Sequence, residues 1–278
     1  EYIQLALRQT YENKMLWQTG HSIPSDFSYS LQKELKLLSI PGAALGAEDF
    51  VLIRKLCNAT ENIFRWFDKD RRESFAALAK IIDDHYYEKV IVELINGVLD
   101  EAGQMKDNAS EDLQKIRMNL YRKRNELRKI FDRIVQKMNK QGYLADIEES
   151  FMNGRRVLAV FAEQKRMIKG VLHGESDSRK TAFIEPEETI ELNNELYTLE
   201  NDERKEVQRI LKALTAQLNV YSALLQTYYA VAGEYDFIKA KGLINAILSR
   251  NSQDLFGFWL EGIFLIHTGA TKQGKILM

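Results

Sequence analysis

The sequence predicts a mainly α-helical protein in which one small β-sheet is inserted between two long helices. Apolar residues recur every three or four positions over most of the chain, which is the spacing of helices that bury one face. Only 3 of the 278 residues are proline, so few positions interrupt a helix. Residues 153–186 differ, because apolar and polar residues alternate there as they do in strands.

Residues 1–112 are predicted to form a helical core. Ser28 precedes an apolar run over residues 31–38, and Pro41-Gly42 is a typical helix stop. Residues 86–95 suit either a strand or a buried helix, since they are rich in valine and isoleucine. Two further runs have helical spacing: Leu52, Leu56, Ile63 and Phe67, then Phe75, Leu78, Ile81 and Ile82.

Two long helices are predicted next, an outgoing helix over 113–140 that Ser110 can cap and a returning helix over 187–232. Their apolar positions keep a heptad-like spacing, so we expect an antiparallel, coiled-coil-like pair. Residues 114–140 contain ten Lys or Arg against two acids, whereas residues 185–212 contain nine acids against four bases. Opposite charges favour the pairing. The basic run is therefore either matched by its partner helix or available to nucleic acid.

Residues 141–186 are predicted to form a sheet of three or four strands at the end of this helix pair. Asn153-Gly154 predicts a hairpin turn, because both residues tolerate positive φ. Pro186 removes a backbone donor and is expected to end the last strand. Residues 233–278 are predicted to return to the core, with an atypical stretch over the last ~25 residues.

Three segments of the chain match one family, in the family's order. The first, residues 153–194, matches patterns close to GRYVIPVKAE, KG-hydrophobic-H, a Ser-rich loop, FIEP and LNN. Its matching residues are Gly154, Arg155, Val157, Val160, Ala162, Glu163, Lys169, Gly170, His173, Ser176, Ser178, Thr181, Phe183, Ile184, Glu185, Pro186, Leu192, Asn193 and Asn194. The others are residues 106–117, similar to D-x-AS-x-x-L-x-x-IR, and residues 234–241, similar to LDxxxAKA.

These segments resemble the MutS family of DNA mismatch-repair ATPases, specifically its anti-recombination branch, the MutS-two proteins. The resemblance implies a helical core, a two-helix lever and a small β-rich clamp that grips duplex or branched DNA by its backbone. It also implies a homodimer for the full-length protein, formed largely through an ATPase domain that uses ATP and Mg, and often a C-terminal Smr endonuclease domain. Neither of those domains has a match in this chain. We therefore expect a binding role without catalysis or a cofactor.

The clamp segment contains the candidate DNA contacts. Seven basic residues lie within 26 positions, and phosphate contacts of this kind give salt-dependent affinity with little sequence information. Ordinary surface charge is the alternative interpretation, and for His173 a structural role is favoured over a phosphate contact. The predicted contacts are Arg155, Arg156, Lys165, Arg166, Lys169, His173, Arg179 and Lys180.

The last residues depart from the family pattern. Gly269–Ile276 imitates a phosphate-binding loop, but Ile276 stands where the Mg²⁺-binding hydroxyl belongs and no helix can follow. We therefore expect no nucleotide site there and a chain that is truncated or out of frame in this region. The single cysteine, Cys57, excludes an intrachain disulfide and a multi-cysteine metal site.

Two function classes remain open from the sequence. The first is a DNA clamp that suppresses recombination. The second is a structural arm that mediates dimerisation or docks on stalled ribosomes, to which family members have also been linked. The start of the chain lacks a secretory signal, and the apolar run 255–266 is too short to span a bilayer. We expect a cytoplasmic protein without a membrane partner.

Overall fold

The computed structural model describes residues 2–250, with side chains except at positions 2, 146–148 and 245–250. These residues are mainly helical and contain a small antiparallel sheet, which confirms the predicted class at that level. The strands are β1 Leu144–Met152, β2 Arg155–Phe161, β3 Gly170–Glu175 and β4 Thr181–Pro186. The helices are α1 Tyr2–Gln18, α2 Gln32–Leu38, α3 Ala47–Trp66, α4 Lys69–Ser74, α5 Ala76–Ala79, α6 Val90–Val98, α7 Glu111–Lys140, α8 Glu187–Asn219 and α9 Ser222–Arg250.

The chain divides into two compact units. The first contains the residues up to Gln104 and those from Lys212 onward, and the second contains Met105–Leu211. Helix α8 therefore begins in the second unit and ends in the first.

The first unit is a helical body with aromatic side chains in its core. Tyr235 of α9 is fully buried and packs with Leu16, Ile63 and Leu78. Its hydroxyl donates to the carbonyl oxygen of Leu78 at 2.9 Å, which satisfies the one polar atom of a buried ring. Burial raises the pKa of Cys57 to about 12, so this thiol is an inert core side chain.

Two expectations for the first unit are resolved by the structure. Of the ambiguous residues 86–95, those from Val90 onward form the first part of a helix, α6. The apolar run over residues 75–82 is helical only in part. Phe75 leaves the helical region at φ −126° and ψ 52°, which separates the short helix α4, capped by Asp68, from the run. Only four residues of helix, α5, follow that break.

The second unit contains α7 and the first part of α8, which pack together through leucines. Ser110 Oγ accepts from the backbone N–H of Leu113 at 3.0 Å, so Ser110 caps α7 as predicted. The leucines are Leu120, Leu127, Leu192 and Leu196. Three ion pairs cross between the helices, Arg117–Glu203, Lys123–Glu195 and Arg124–Glu200. Since later residues of α7 pair with earlier residues of α8, the two helices run antiparallel.

The returning helix differs from the prediction of one continuous element over 187–232. Helix α8 ends at Asn219, and α9 begins at Ser222. At this end, the side chain of Asn219 donates a hydrogen bond to the carbonyl oxygen of Leu38 at 2.6 Å. Asparagine is well suited to such an end, because its side chain competes with the helical hydrogen bonds of the backbone.

The four strands are antiparallel in the order β1-β2-β4-β3. Asn153 and Gly154 have φ of 51° and 77° between the paired residues Met152 and Arg155, so the predicted two-residue turn is confirmed. Between β2 and β3, Ala162–Met167 forms a 3-10 helix, and β3 begins at Gly170.

One face of the sheet packs against α7. Phe131 and Ile134 of the helix contact Leu158 of β2 and Ile184 of β4, and all four side chains are buried. This contact holds the sheet at the C-terminal end of α7. Within residues 2–250, none of the helices has the length and apolar character needed to cross a membrane.

We predict that Gly170→Ala destabilises the second unit by about 3 kcal/mol, at the upper end of typical single substitutions. An added Cβ would lie 2.1 Å from the backbone oxygen of Glu185, which cannot move without separating β3 from β4. Urea unfolding followed by circular dichroism measures this change. The matched control is Gly174→Ala in the same strand, where the Cβ would make an ordinary 3.4 Å contact with Met152. Equal stability of the two variants would contradict this account.

Candidate nucleic-acid interface

The sheet surrounds a buried carboxylate, Glu185, at the end of β4. This side chain is 2% exposed and accepts hydrogen bonds from Arg155 Nη1, at 2.8 and 3.1 Å, and from Asn193 Nδ2 at 2.8 Å. His173 Nε2 lies 2.7 Å from its other oxygen. The partners belong to β2, α8 and β3, so one carboxylate joins three strands and a helix.

The protonation of Glu185 follows from these contacts. Burial alone raises the pKa of its carboxyl, but the hydrogen bonds from His173, Asn193 and Arg155 outweigh that effect and hold the pKa below its ordinary value. The carboxylate is therefore charged and compensated at neutral pH. His173 and Arg155 are both predicted DNA contacts, and the structure places them in this internal network.

Arg156 is also held in place by neighbouring side chains. Its Nε donates to Glu149 at 2.8 Å, and its guanidinium lies 4.4 Å from the centroid of the Phe131 ring. A second carboxylate, Asp132, lies 3.5 Å away. The side chain is 14% exposed, so Arg156 connects the sheet to α7 and has little surface left for a ligand.

Lys165 forms an ion pair with Glu175 across the surface of the sheet. The distance between Nζ and the carboxylate is 2.6 Å, and the hydrogen bond from Lys165 holds the pKa of Glu175 below its ordinary value. Both groups reach solvent, so the pair is weak and a competing phosphate could exchange with Glu175.

Four of the predicted contacts are exposed and form no ion pair among the described residues. They lie in different elements: Arg166 in the 3-10 helix, Lys169 just before β3, and Arg179 and Lys180 just before β4. Arg179 has φ of 54°, and its N–H donates to the Ser176 carbonyl oxygen at 2.8 Å, which forms the tight turn between β3 and β4. These four side chains are Arg166, Lys169, Arg179 and Lys180.

A second surface feature was not predicted from the sequence. A groove of about 600 Å³ lies between α7, α8 and the hairpin of β1 and β2. Its lining combines two exposed aromatic residues, Phe151 and Tyr197, with five arginines. The arginines are Arg124, Arg128, Arg155, Arg156 and Arg204. The basic run on α7 was a signal for two of these arginines, but nothing in the sequence joined them to Phe151.

Metal binding has no support in the part of the chain that the structure describes. No group of three or more His, Cys, Asp or Glu side chains in it could hold a metal ion. The loop-like match at Gly269–Ile276 lies outside the described residues.

We predict that Glu185→Gln destabilises the protein by about 3 kcal/mol at pH 7, because it removes the buried charge that pairs with the partly exposed Arg155. The folded-state pKa of Glu185 is lowered, so its contribution is present above the ordinary value of 4.5 and is lost as pH falls through the folded value. The difference in the free energy of unfolding between wild type and variant should therefore become smaller in acid. Urea unfolding between pH 7 and pH 3 measures it, with the exposed Glu188→Gln as the control. A gap that widens in acid would contradict the assigned charge state.

Comparison with known proteins finds several relatives that share one name. No family model matches the chain. The chain is 30% identical to a protein named Endonuclease MutS2 from Aquifex aeolicus, over 83% of this chain and 30% of that protein. Proteins of the same name from Lactococcus lactis and Enterococcus faecalis are 32% and 31% identical, over 87% and 86% of this chain and 31% and 30% of those proteins.

The chain spans slightly less than a third of the length of these relatives. The similarity extends over most of the chain and therefore includes residues of both compact units. It supports a relationship of this chain to the MutS2-type family.

Proposed function

We propose that this chain is a non-catalytic DNA-binding part of a MutS2-type protein, and that it grips duplex or branched DNA by its backbone. In this proposal α7 and α8 form the lever, and the four-stranded sheet forms the clamp. The proposal rests on the exposed basic side chains in the segments that connect β2, β3 and β4, which form no ion pair among the described residues. The names of the relatives support a role connected with DNA. The role proposed here needs no cofactor in this part of the protein; ATP and Mg would belong to the ATPase domain of the full-length protein, as would its dimerisation.

The predicted contacts fall into two groups: basic side chains that are free to bind a phosphate, and those already bonded to a carboxylate. A side chain that binds a phosphate must reach it without breaking an internal bond. Arg166, Lys169 and Lys180 meet this condition, whereas Arg155 and Arg156 are already hydrogen-bonded to carboxylates. We therefore assign phosphate binding to the exposed residues, and the positioning of β2 to the two bonded arginines.

We predict that the triple variant Arg166→Gln, Lys169→Gln, Lys180→Gln weakens binding to a four-way DNA junction. Each lost phosphate contact should lower the slope of log affinity against log salt by about 0.9. Three lost contacts should therefore make the slope less steep by about 3. The loss of affinity should be largest at low salt. Fluorescence anisotropy at several salt concentrations measures both quantities. Glutamine removes the charge but retains most of the side chain, so the fold should persist.

The matched control removes three exposed positive charges from the first unit, as Lys33→Gln, Lys36→Gln, Lys80→Gln. It changes net charge by the same amount and should leave the salt slope near that of wild type. An equal loss in both variants would indicate general attraction instead of a clamp. Absence of junction binding by wild type at low salt would overturn the proposed function.

A second candidate function, dimerisation through a protein contact, is favoured by one observation in the first unit. Four exposed apolar residues follow each other at intervals of four on α1, and so form a stripe along one side of the helix. The stripe consists of Ile3, Leu7, Tyr11 and Met15. A contiguous exposed apolar surface of this kind often marks a protein contact.

If a second copy of the chain covers this stripe, sedimentation velocity should show a dimer whose population rises with concentration. Leu7→Lys should shift the protein to monomer, because it places a charge in the centre of the contact. Lys14→Gln, an exposed position on the same helix, is the control and should leave association unchanged. A wild-type monomer throughout the micromolar range would exclude this form of the alternative.

A further inference from the structure

We propose that the groove between α7, α8 and the β1–β2 hairpin binds unpaired nucleotides of a DNA strand, with their bases stacked on Phe151 and Tyr197. This inference rests on the proposed function and names the part of a branched DNA that this surface receives. It concerns a different surface from the exposed basic residues on the sheet, which are assigned to the backbone.

The aromatic residues are the first argument. Phe151 is 69% exposed and Tyr197 is 57% exposed, although both are large side chains that usually lie at least partly buried. Phe151 lies on β1, which is an edge strand, and Tyr197 lies on α8. Both line the same groove. Every base has a π face, so exposed rings of this kind stack on bases of any sequence.

Charge is the second argument. The groove is lined by five arginines and two glutamates, Glu149 and Glu200. Arg156 is paired with Glu149, and Arg124 is paired with Glu200 at 2.9 Å. The charge of Arg155 is compensated by Glu185. Two arginines remain with no ion pair among the side chains that the structure describes, Arg128 on α7 and Arg204 on α8. The groove is therefore positive and complementary to a phosphate.

Rigidity is the third argument. Leu127 and Leu196 are buried and line the groove between the two helices. Arg156 is held by Glu149 and by the ring of Phe131, and the tight turn at Asn153-Gly154 closes the hairpin side. The walls therefore belong to regular, packed elements, so binding orders few further groups and loses little entropy.

The physical character of the site selects single strands over duplex. Bases inside a duplex are stacked on each other, so their faces cannot reach an aromatic side chain unless they are unpaired. A groove of about 600 Å³ is within the range of sites that enclose a small molecule, and much smaller than a surface that follows a double helix. Branched DNA that has a flap, a gap or a displaced strand exposes unpaired nucleotides at the branch point. In this proposal the groove binds the unpaired nucleotides, and the exposed basic residues beside the sheet bind the phosphates of the DNA backbone.

The test compares binding of a fluorescent oligothymidylate of about 15 nucleotides, near the upper site size of stacking proteins, with binding of a blunt duplex. We expect Phe151→Ala, Tyr197→Ala to weaken oligothymidylate binding about tenfold or more, since stacking on each ring contributes at least about fivefold to the affinity. Duplex affinity should change by less than about twofold. Tyr197→Phe retains a ring and should bind as wild type does.

The matched control is Met118→Ala, Tyr121→Ala, which removes two exposed side chains of α7 that lie outside this groove. It should leave both affinities unchanged. A second readout is independent of affinity: an oligothymidylate carrying one 5-iodouracil should form a photo-adduct with Phe151 or Tyr197, located by peptide mass spectrometry. Circular dichroism melts of each variant establish that it is folded.

The outcomes separate the two proposals. If wild type binds duplex and junction with a steep salt dependence but does not bind oligothymidylate, the groove inference is wrong and the proposed function stands. The same conclusion follows if the groove variant and the control variant bind oligothymidylate equally, or if adducts form only outside the groove. If wild type binds none of the three DNAs, both proposals fail.

Discussion

The buried carboxylate of Glu185 is the interaction on which the second unit depends. It accepts hydrogen bonds from β2 and α8 and lies against His173 of β3, while its own residue belongs to β4. A charge this deeply buried is tolerated only when it is paired and fully hydrogen-bonded. Removal of one partner would leave the others unsatisfied, so the sheet and the start of α8 are joined by a single group.

This network assigns a structural role to some of the basic residues that were predicted to bind DNA. Arg155 and His173 look like ligand contacts when only charge and position are considered, yet both face an internal carboxylate. Arg156 has a comparable role toward Glu149 and Phe131. The side chains left for a ligand are those without such partners. Some basic residues of this unit therefore stabilise the sheet through carboxylates, and others form an exposed, positively charged surface.

The long helices use charge in the same two ways. The basic run of α7 was compatible with matching by a partner helix or with nucleic-acid binding, and the structure supports a division between the two. Arg117, Lys123 and Arg124 form ion pairs with acids of α8. Arg128 lies in the same run, has no carboxylate partner among the described residues and lines the groove. Ion pairs that reach solvent contribute little stability, so the packed leucines supply most of the free energy of this contact.

Features determined by adjacent residues were predictable from the sequence. The turn at Asn153-Gly154 and the cap at Ser110 depend on the φ preference and the side-chain reach of one or two residues. The class of the protein follows from apolar spacing in the same way. The end of α8 at Asn219 was missed, because it depends on a bond to Leu38, which is distant in the sequence.

The candidate site was predictable only as a region. The sequence by itself determined that residues 141–186 form a β-rich insertion between two long helices, with seven basic residues. Tertiary structure alone decided which bases are occupied by Glu185 and Glu149, and that Phe151 and Tyr197 line one groove. The physical reason is that a turn or a helix cap is a local preference, whereas the partner of a buried charge is chosen by strand register and helix packing.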